Sequence, residues 1–282
     1  MLLSASAPRT LGVAEGARVR FGEEPKQEGT FAGRRLLFLD ERPAFELSFW
    51  CGTCQFLFKR LEGANQTASL EDVGQRLADG LDGIDKEIVN RFAELLPQGM
   101  YVPMLLQIEP RLVLPADNDD YFANEQVATW NLEGFWGLPH YPQTPYYRTF
   151  ETIVRAEARM YEAEAHLYEF VVPMVPPSWN EPARVTELAE KLARSPGPTA
   201  VAVSTLDVSQ PANQAGPDYY AHWGLTHFLL DGHHKLQAAA QIGRPVQLLS
   251  LLSVDASLAT PEQVQSVPDL LTRPASRRPG PT

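Results

Sequence analysis

The chain has 282 residues, 44% of them hydrophobic, and its 35 acidic against 24 basic residues give a formal net charge of -11. A chain of this size can bury a sizeable core in one large or two modest domains, and we favour two. The acidic balance disfavours non-specific binding to nucleic acid, because the phosphate backbone would be repelled.

The sequence also predicts where the protein resides. No window approaches the roughly 18 apolar residues that a membrane helix needs, so we expect no membrane partner. The N-terminus lacks the charged and apolar regions of an export signal, and two cysteines do not form a disulfide framework. We therefore expect a cytoplasmic protein.

The N-terminal half predicts strands, one short helix and one long helical segment. Three short apolar runs at 17–21, 35–39 and 45–50 are typical of strands, and 55–62 of a short helix. A helical period then runs to Pro97, with Gly80 and Gly83 breaking or kinking it; its apolar members are Val73, Leu77, Leu81, Ile84, Ile88, Phe92 and Leu95. Strands follow at 100–108 and 112–114, the first despite Pro103.

A cysteine pair separates the third strand from the short helix. The run Trp50-Cys51-Gly52-Thr53-Cys54 resembles the thioredoxin active-site sequence, which would make Cys51 the attacking thiolate and Cys54 the resolving thiol. The order of elements after it does not follow thioredoxin. A zinc site with ligands from elsewhere and a buried structural pair remain alternatives.

The stretch from 117 to 148 is rich in aromatic residues, Gly and Pro. Its composition predicts a long ordered loop that either contacts a ligand or covers a core face. The aromatic and imidazole side chains in it are Tyr121, Phe122, Trp130, Phe135, Trp136, His140, Tyr141, Tyr146 and Tyr147.

Helices and strands alternate in the rest of the chain. The alanine- and glutamate-rich run 149–165 predicts a helix, 167–175 a strand, 181–193 a second helix and 199–208 a strand buried on both faces. The tail from 271 contains Pro, Arg and small polar residues, and we expect disorder there.

One local pattern carries the functional prediction. An apolar strand at 226–230 runs into Asp231-Gly232, a helix at 233–242 ends at Gly243, and a strand returns at 245–254. A strand that enters a helix through glycine presents free backbone amides and the positive end of the helix dipole, which attract an anion such as phosphate.

Four side chains with suitable chemistry flank that glycine. Asp231 can cap the helix or hold a divalent cation, and Lys235 supplies a compact positive charge. His233 and His234 can donate hydrogen bonds or move protons near neutral pH, and they are catalytic candidates together with Asp231.

Residues 227–253 resemble the core of the ParB/sulfiredoxin-like superfamily, in the variant that reads Asp-Gly-His-His-Arg, and the resemblance extends over about 167–254 when the preceding strand and helix are included. Members bind nucleoside triphosphates at this turn and include a nucleotide-hydrolysing partition protein, a sulfinic-acid reductase and a serine kinase. The resemblance implies that Gly232 is the family's glycine, His234 its His or Arg, and Lys235 its phosphate-binding Arg. A lysine lacks the bidentate fork of arginine, and His233 stands where the reductases have their cysteine.

Together these patterns predict an α+β protein. We expect an N-terminal mixed domain at 1–165, a ParB/sulfiredoxin-like domain at 166–258 and a disordered tail at 271–282. The favoured function is a nucleotide-dependent phosphotransferase or phosphohydrolase that uses a nucleoside triphosphate with Mg²⁺. The phosphates would bind at Gly232 and Lys235, and a small molecule or protein would accept the phosphoryl group.

Two further hypotheses come from other classes. The fold is also compatible with a non-catalytic module that senses a ligand or binds a partner. A third hypothesis is a thiol–disulfide protein that uses Cys51 and Cys54.

Overall fold

The computed structural model describes residues 1–25, 33–47, 58–114, 117, 120, 144–158, 161–194, 197–209 and 221–272. The strands are β1 Leu2–Ala5, β2 Arg9–Leu11, β3 Val19–Glu24, β4 Arg34–Leu39, β5 Arg42–Leu47, β6 Phe58–Arg60, β7 Gly99–Ile108, β8 Arg111–Val113, β9 Tyr146–Ala158, β10 Tyr161–Pro173, β11 Thr199–Ser209, β12 Ala221–Asp231 and β13 Val246–Ser253. The helices are α1 Gly74–Asp79, α2 Lys86–Ala93, α3 Pro182–Arg194, α4 His233–Ile242 and α5 Pro261–Leu271, with 3₁₀ turns at Glu71–Val73 and Pro177–Trp179.

The larger of two sheets contains strands from both halves of the chain. Its order is β1-β7-β13-β11-β12-β10-β9-β8, and β2 also pairs with β7. The pairs β10–β12 and β11–β13 are parallel, whereas the other pairs are antiparallel. The chain is therefore a mixed α+β protein, as predicted.

The two faces of the large sheet bury separate apolar clusters, because side chains alternate along each strand. Val201 and Val203 belong to the cluster that includes residues of the small sheet, α1 and α2. Ala200 and Ala202 belong to the cluster that includes residues of α3, α4 and α5. Helices that carry the candidate site therefore lie on the second face.

The small sheet, in the order β3-β4-β5-β6, is antiparallel and is joined to the large sheet by a buried ion pair. The Arg35 guanidinium lies 2.7 Å from the Asp207 carboxylate and also donates to the Ala256 carbonyl. Phe45 packs against Phe228 of β12, with ring centroids 5.7 Å apart. Polar and apolar contacts thus hold the two sheets together.

Most elements lie where the sequence predicts them. The helical period divides into α1 and α2 at Gly80 and Gly83, and Gly80 has a φ of 86°, outside the helical region. Pro103 lies within β7, opposite Leu251 of β13. Among the described residues, no helix is long and apolar enough to cross a membrane.

The predicted helix at 149–165 is wrong. This run forms most of β9 and the beginning of β10, which pair with each other, while β10 also pairs with β12. Alanine and glutamate have high helix propensities, but propensity contributes little free energy per residue, and strand pairing on both sides of β10 outweighs it.

Two other local predictions also need correction. The predicted helix at 55–62 contains a strand, because Phe58, Lys59 and Arg60 pair with β5. Helix α5 extends to Leu271, where the tail was expected to begin; its N-cap Thr260 forms a reciprocal capping box with Gln263. The remainder of the tail, 273–282, lies outside the described residues.

The domain division stays a prediction. The boundary proposed at 165 falls inside β10. Strands β1, β2 and β7 from the N-terminal part lie in the same sheet as β10 to β13.

Candidate anion site at the ends of two parallel strands

Two helices begin at the same edge of the large sheet. Strands β10 and β12 are parallel neighbours, and their pairing ends where Pro173, the last residue of β10, lies opposite Leu229. Helix α3 follows β10 after a short turn, and α4 follows β12 directly. Because the helices succeed parallel strands at matching ends, their N-termini lie close together.

Hydrogen bonds join the two helix starts. The Glu181 amide, which precedes α3, donates to His234 Nε2 at 3.1 Å. Asn180 Nδ2 donates to the His233 carbonyl at 3.3 Å and to Gln237 Oε1 at 2.7 Å. These bonds fix the entrance to α3 against the first turn of α4.

Gly232 is the N-cap of α4, and its conformation requires glycine. Its φ is 98°, and a Cβ atom placed there would lie 2.6 Å from the Ala200 Cβ. As a glycine, it has no side chain that could cap the helix. The first amides of α4 therefore keep unused hydrogen-bonding capacity, next to the positive end of the dipole.

Lys235 and Asp231 form an ion pair across the turn. Lys235 Nζ lies 2.9 Å from Asp231 Oδ2 and 2.9 Å from the Thr199 carbonyl oxygen. Burial raises the pKa of the Asp231 carboxyl, but Lys235 and the Ser69 hydroxyl outweigh it, and the pKa of Asp231 lies below its usual value. Asp231 is thus held as a carboxylate, and part of the lysine charge is already neutralised.

The adjacent histidines occupy different environments. His233 is 3% exposed, and its Nε2 accepts the Met174 amide at 3.0 Å. Burial lowers the pKa of His233 to about 4, so the ring is neutral at pH 7 with its proton on Nδ1, which has no partner among the described residues. His234 is partly exposed, and burial together with Arg184 lowers its pKa.

The structure adds Trp179 and Arg60 to this region, which the sequence did not predict. Trp179 directly precedes Asn180 and is 57% exposed. The Arg60 guanidinium lies over the indole ring, 4.9 Å from its centroid. The available sequence signal was a tryptophan in the short turn between a buried strand and a predicted helix.

A cleft of about 440 Å³ lies beside α4. Gln237 and Gln241 line it from the helix, and Glu109 and Arg111 line it from the corner between β7 and β8. Gln237 lies about one turn from the uncapped end of α4, and its side chain also accepts a hydrogen bond from the side-chain amide of Asn180. The cleft therefore begins about one turn from the proposed site.

Other predicted candidates lie outside the described residues. These are Cys51 and Cys54 and most of the aromatic stretch at 117–148. Of that stretch, Tyr146 and Tyr147 are buried in β9. Within the described ranges, no group of three or more His, Cys, Asp or Glu side chains is arranged to hold a metal ion.

Comparisons with protein-family models, curated proteins and solved structures find no match. The likeness to the ParB/sulfiredoxin-like superfamily therefore stays a prediction that depends on the motif residues. The strand, turn, helix and returning strand of that motif are present at 221–253.

A buried chain of polar side chains crosses the same sheet. It runs through five neighbouring strands and consists of Ser250, Ser204, His227, Glu169 and Thr149. The Ser204 hydroxyl lies 2.6 Å from His227 Nδ1 and 2.9 Å from the Ser250 hydroxyl. His227 Nε2 lies 3.2 Å from Glu169 Oε1, and Thr149 donates to Glu169 Oε2.

The protonation of this chain follows from its partners. Burial raises the pKa of Glu169, but the bonds from His227 and Thr149 outweigh it, and the pKa of Glu169 lies below its usual value. A Glu169 carboxylate accepts the His227 Nε2 proton, which leaves Nδ1 to accept from Ser204. Serine, histidine and acid have the order used in acyl transfer, but Ser204 and His227 are 0% exposed, so we assign the chain a structural role.

Proposed function

We propose that the protein binds a nucleotide or another phosphate-bearing ligand at the shared N-terminal ends of α3 and α4. Its favoured activity is that of a ParB/sulfiredoxin-like phosphotransferase or phosphohydrolase. The observation that carries the proposal is the contact between the two helix starts, with α4 left uncapped at Gly232. Ligands of sheets with helical crossovers bind beyond the carboxyl ends of strands, where helix N-termini attract anions.

The charges near this edge are balanced, although the chain as a whole is acidic. Arg184 and Lys235 supply positive charge beside His234, and Glu181 and Asp231 supply negative charge. An incoming phosphate would have to compete with Asp231 for Lys235. The uncapped amides, in contrast, would not have to break a hydrogen bond within the protein. The amides would therefore supply the first contacts, and Lys235 would add its charge as its bond to Asp231 loosens.

Mg²⁺ would arrive with a nucleoside triphosphate. It prefers oxygen ligands and is commonly held by substrate phosphates with one or two carboxylates. Asp231 is the carboxylate beside the turn. The metal would neutralise charge on the phosphates.

Proton transfer would fall to His234. Its Nε2 accepts the Glu181 amide, but the ring is partly exposed and Nδ1 is left for proton exchange, whereas His233 is buried and engaged with Met174. In this proposal His233 positions the turn, and His234 exchanges a proton with the phosphoryl acceptor or an attacking water. The acceptor, a small molecule or a protein side chain, would approach along the cleft lined by Gln237 and Gln241.

The non-catalytic alternative also has an observation in its favour. The Asp231–Lys235 ion pair and the buried His233 leave His234 as the accessible proton carrier among the motif side chains. A sensor would need the anion site without a complete set of catalytic groups. Hydrolysis or phosphoryl transfer by the purified protein would separate the two functions.

Thermal unfolding with a panel of nucleotides, with and without Mg²⁺, and with inorganic triphosphate tests the binding site. A ligand of the native state at 100 times its Kd adds about 2.7 kcal/mol to the free energy of unfolding and raises Tm. His234→Glu should abolish the shift, because it places a negative charge beside the uncapped amides. The same charge suits the helix dipole, so the variant should fold.

Two variants control for this substitution. His234→Gln removes the imidazole without adding charge and should still bind the phosphate, and Gln241→Glu adds the same charge in the last turn of α4. The proposal fails if no phosphate compound raises the Tm of the unaltered protein. It also fails if Gln241→Glu weakens binding as much as His234→Glu.

A further inference from the structure

Trp179 is an exposed aromatic ring held at a fixed place beside the anion site. It lies in the 3₁₀ turn Pro177–Trp179, which follows Pro176, and the two proline rings restrict the backbone. The next two residues, Asn180 and Glu181, both bond to the first turn of α4. Hydrogen bonds therefore set the backbone position of Trp179 relative to the start of α4, although the residue is 57% exposed.

Arg60 restrains the ring from the small sheet. Its guanidinium is 4.9 Å from the indole centroid, and it donates to the Ala64 carbonyl. The Arg60 amide donates to the Thr144 hydroxyl at 3.0 Å. A guanidinium placed over an indole is attracted by the ring's quadrupole and limits its motion, which lowers the entropy lost when a flat ligand stacks there.

We propose that Trp179 is the stacking platform for the base of a nucleotide whose phosphates bind at the start of α4. This inference rests on the proposed function and specifies its ligand class as a phosphate ester with a planar heteroaromatic group, in place of a simple phosphate. Base stacking on an aromatic side chain contributes affinity for any base, because every base has a π face. The platform therefore predicts selection for nucleotides without predicting which base.

A structural role would give Trp179 a different signature. If the indole only covers Arg60, its removal would change the stability of the protein and leave ligand affinity untouched. If it stacks on a base, its removal would lower the affinity for nucleotides and would leave the affinity for ligands without a base unchanged. Inorganic triphosphate is the probe that separates the two roles, because it carries the phosphates alone.

Isothermal titration of the full chain with MgATP, MgCTP and magnesium triphosphate would test the platform, using Trp179→Ala and Trp179→Phe. We expect Trp179→Ala to weaken both nucleotides by about 5- to 150-fold, the range for loss of one stacked base, and to leave triphosphate unchanged. Trp179→Phe should recover much of the loss. Ile242→Ala, an exposed apolar residue at the other end of α4, is the matched control and should bind like the unaltered protein.

The possible outcomes distinguish a failure of the stacking platform from a failure of the proposed phosphate site. Triphosphate binding as tight as nucleotide binding, or equal weakening of both by Trp179→Ala, would overturn the platform and leave the anion site in place. If neither nucleotides nor triphosphate bind the unaltered protein, both proposals fall together.

Discussion

The uncapped turn and the buried polar chain use similar groups in opposite ways. At the turn, α4 begins without a side-chain cap, and His233 Nδ1 has no partner among the described residues. In the buried chain, both ring nitrogens of His227 and both oxygens of Glu169 have hydrogen-bond partners. Completed bonding fits a structural role, whereas the unused capacity at the turn is the feature on which the proposed phosphate site depends.

The largest expected effect lies in the buried chain. His227→Ala would leave the buried Glu169 carboxylate without its main hydrogen-bond partner and would open a cavity, which together cost about 3–5 kcal/mol of unfolding free energy. Urea unfolding at pH 7 measures it. Adding Glu169→Gln removes the stranded charge, so the double variant should recover part of the loss, whereas equal losses would show that the pair is not coupled.

The next effect belongs to His233 and depends on pH. Its folded pKa of about 4 lies below the usual value of about 6.5, so folding favours the neutral ring. The stability it contributes is complete above pH 6.5 and is lost as the pH falls towards 4, because only the unfolded state then takes up the proton. The loss amounts to about 3 kcal/mol.

A variant isolates that histidine from the carboxylates that titrate nearby. His233→Gln keeps an acceptor for the Met174 amide but has no proton to gain. We expect the loss of stability between pH 6.5 and 4.5 to be clearly smaller in the variant than in the unaltered protein. Parallel curves for the two proteins would contradict the buried neutral ring.

The smallest effect is expected at one end of the buried series of polar side chains, where Ser250 contacts Ser204. Ser250→Ala removes one neutral hydrogen bond and should cost about 1 kcal/mol, measured by urea unfolding. Phosphate binding should be unchanged, because the Ser250 hydroxyl bonds to Ser204 inside the sheet and not to a residue of the turn. A fall in phosphate affinity would show that the two regions are coupled.

Sequence reasoning succeeded where structure depends on neighbours in the chain. The motif strand, its glycine turn, α4 and β13 follow from apolar runs with glycine at each end. It failed at 149–165, because pairing with distant strands decided the outcome.

The buried chain was missed for a related reason. Ser204 and His227 are separated by 23 positions, and His227 and Glu169 by 58, so no local spacing links them. Each nevertheless interrupts an apolar strand. A polar residue within such a run is the signal that a partner from another strand must exist.

The Arg35–Asp207 pair has a consequence for how the chain can be divided. Each residue is nearly buried and is neutralised across the boundary between the sheets. In a fragment that carries the small sheet alone, Arg35 would lose its partner on the surface that normally faces the large sheet. In the remainder of the protein, Asp207 would be left without a positive partner. Neither fragment is therefore suited to expression by itself. Substitutions of Arg35 and Asp207 should destabilise the protein less when both residues are replaced together than when one is replaced alone.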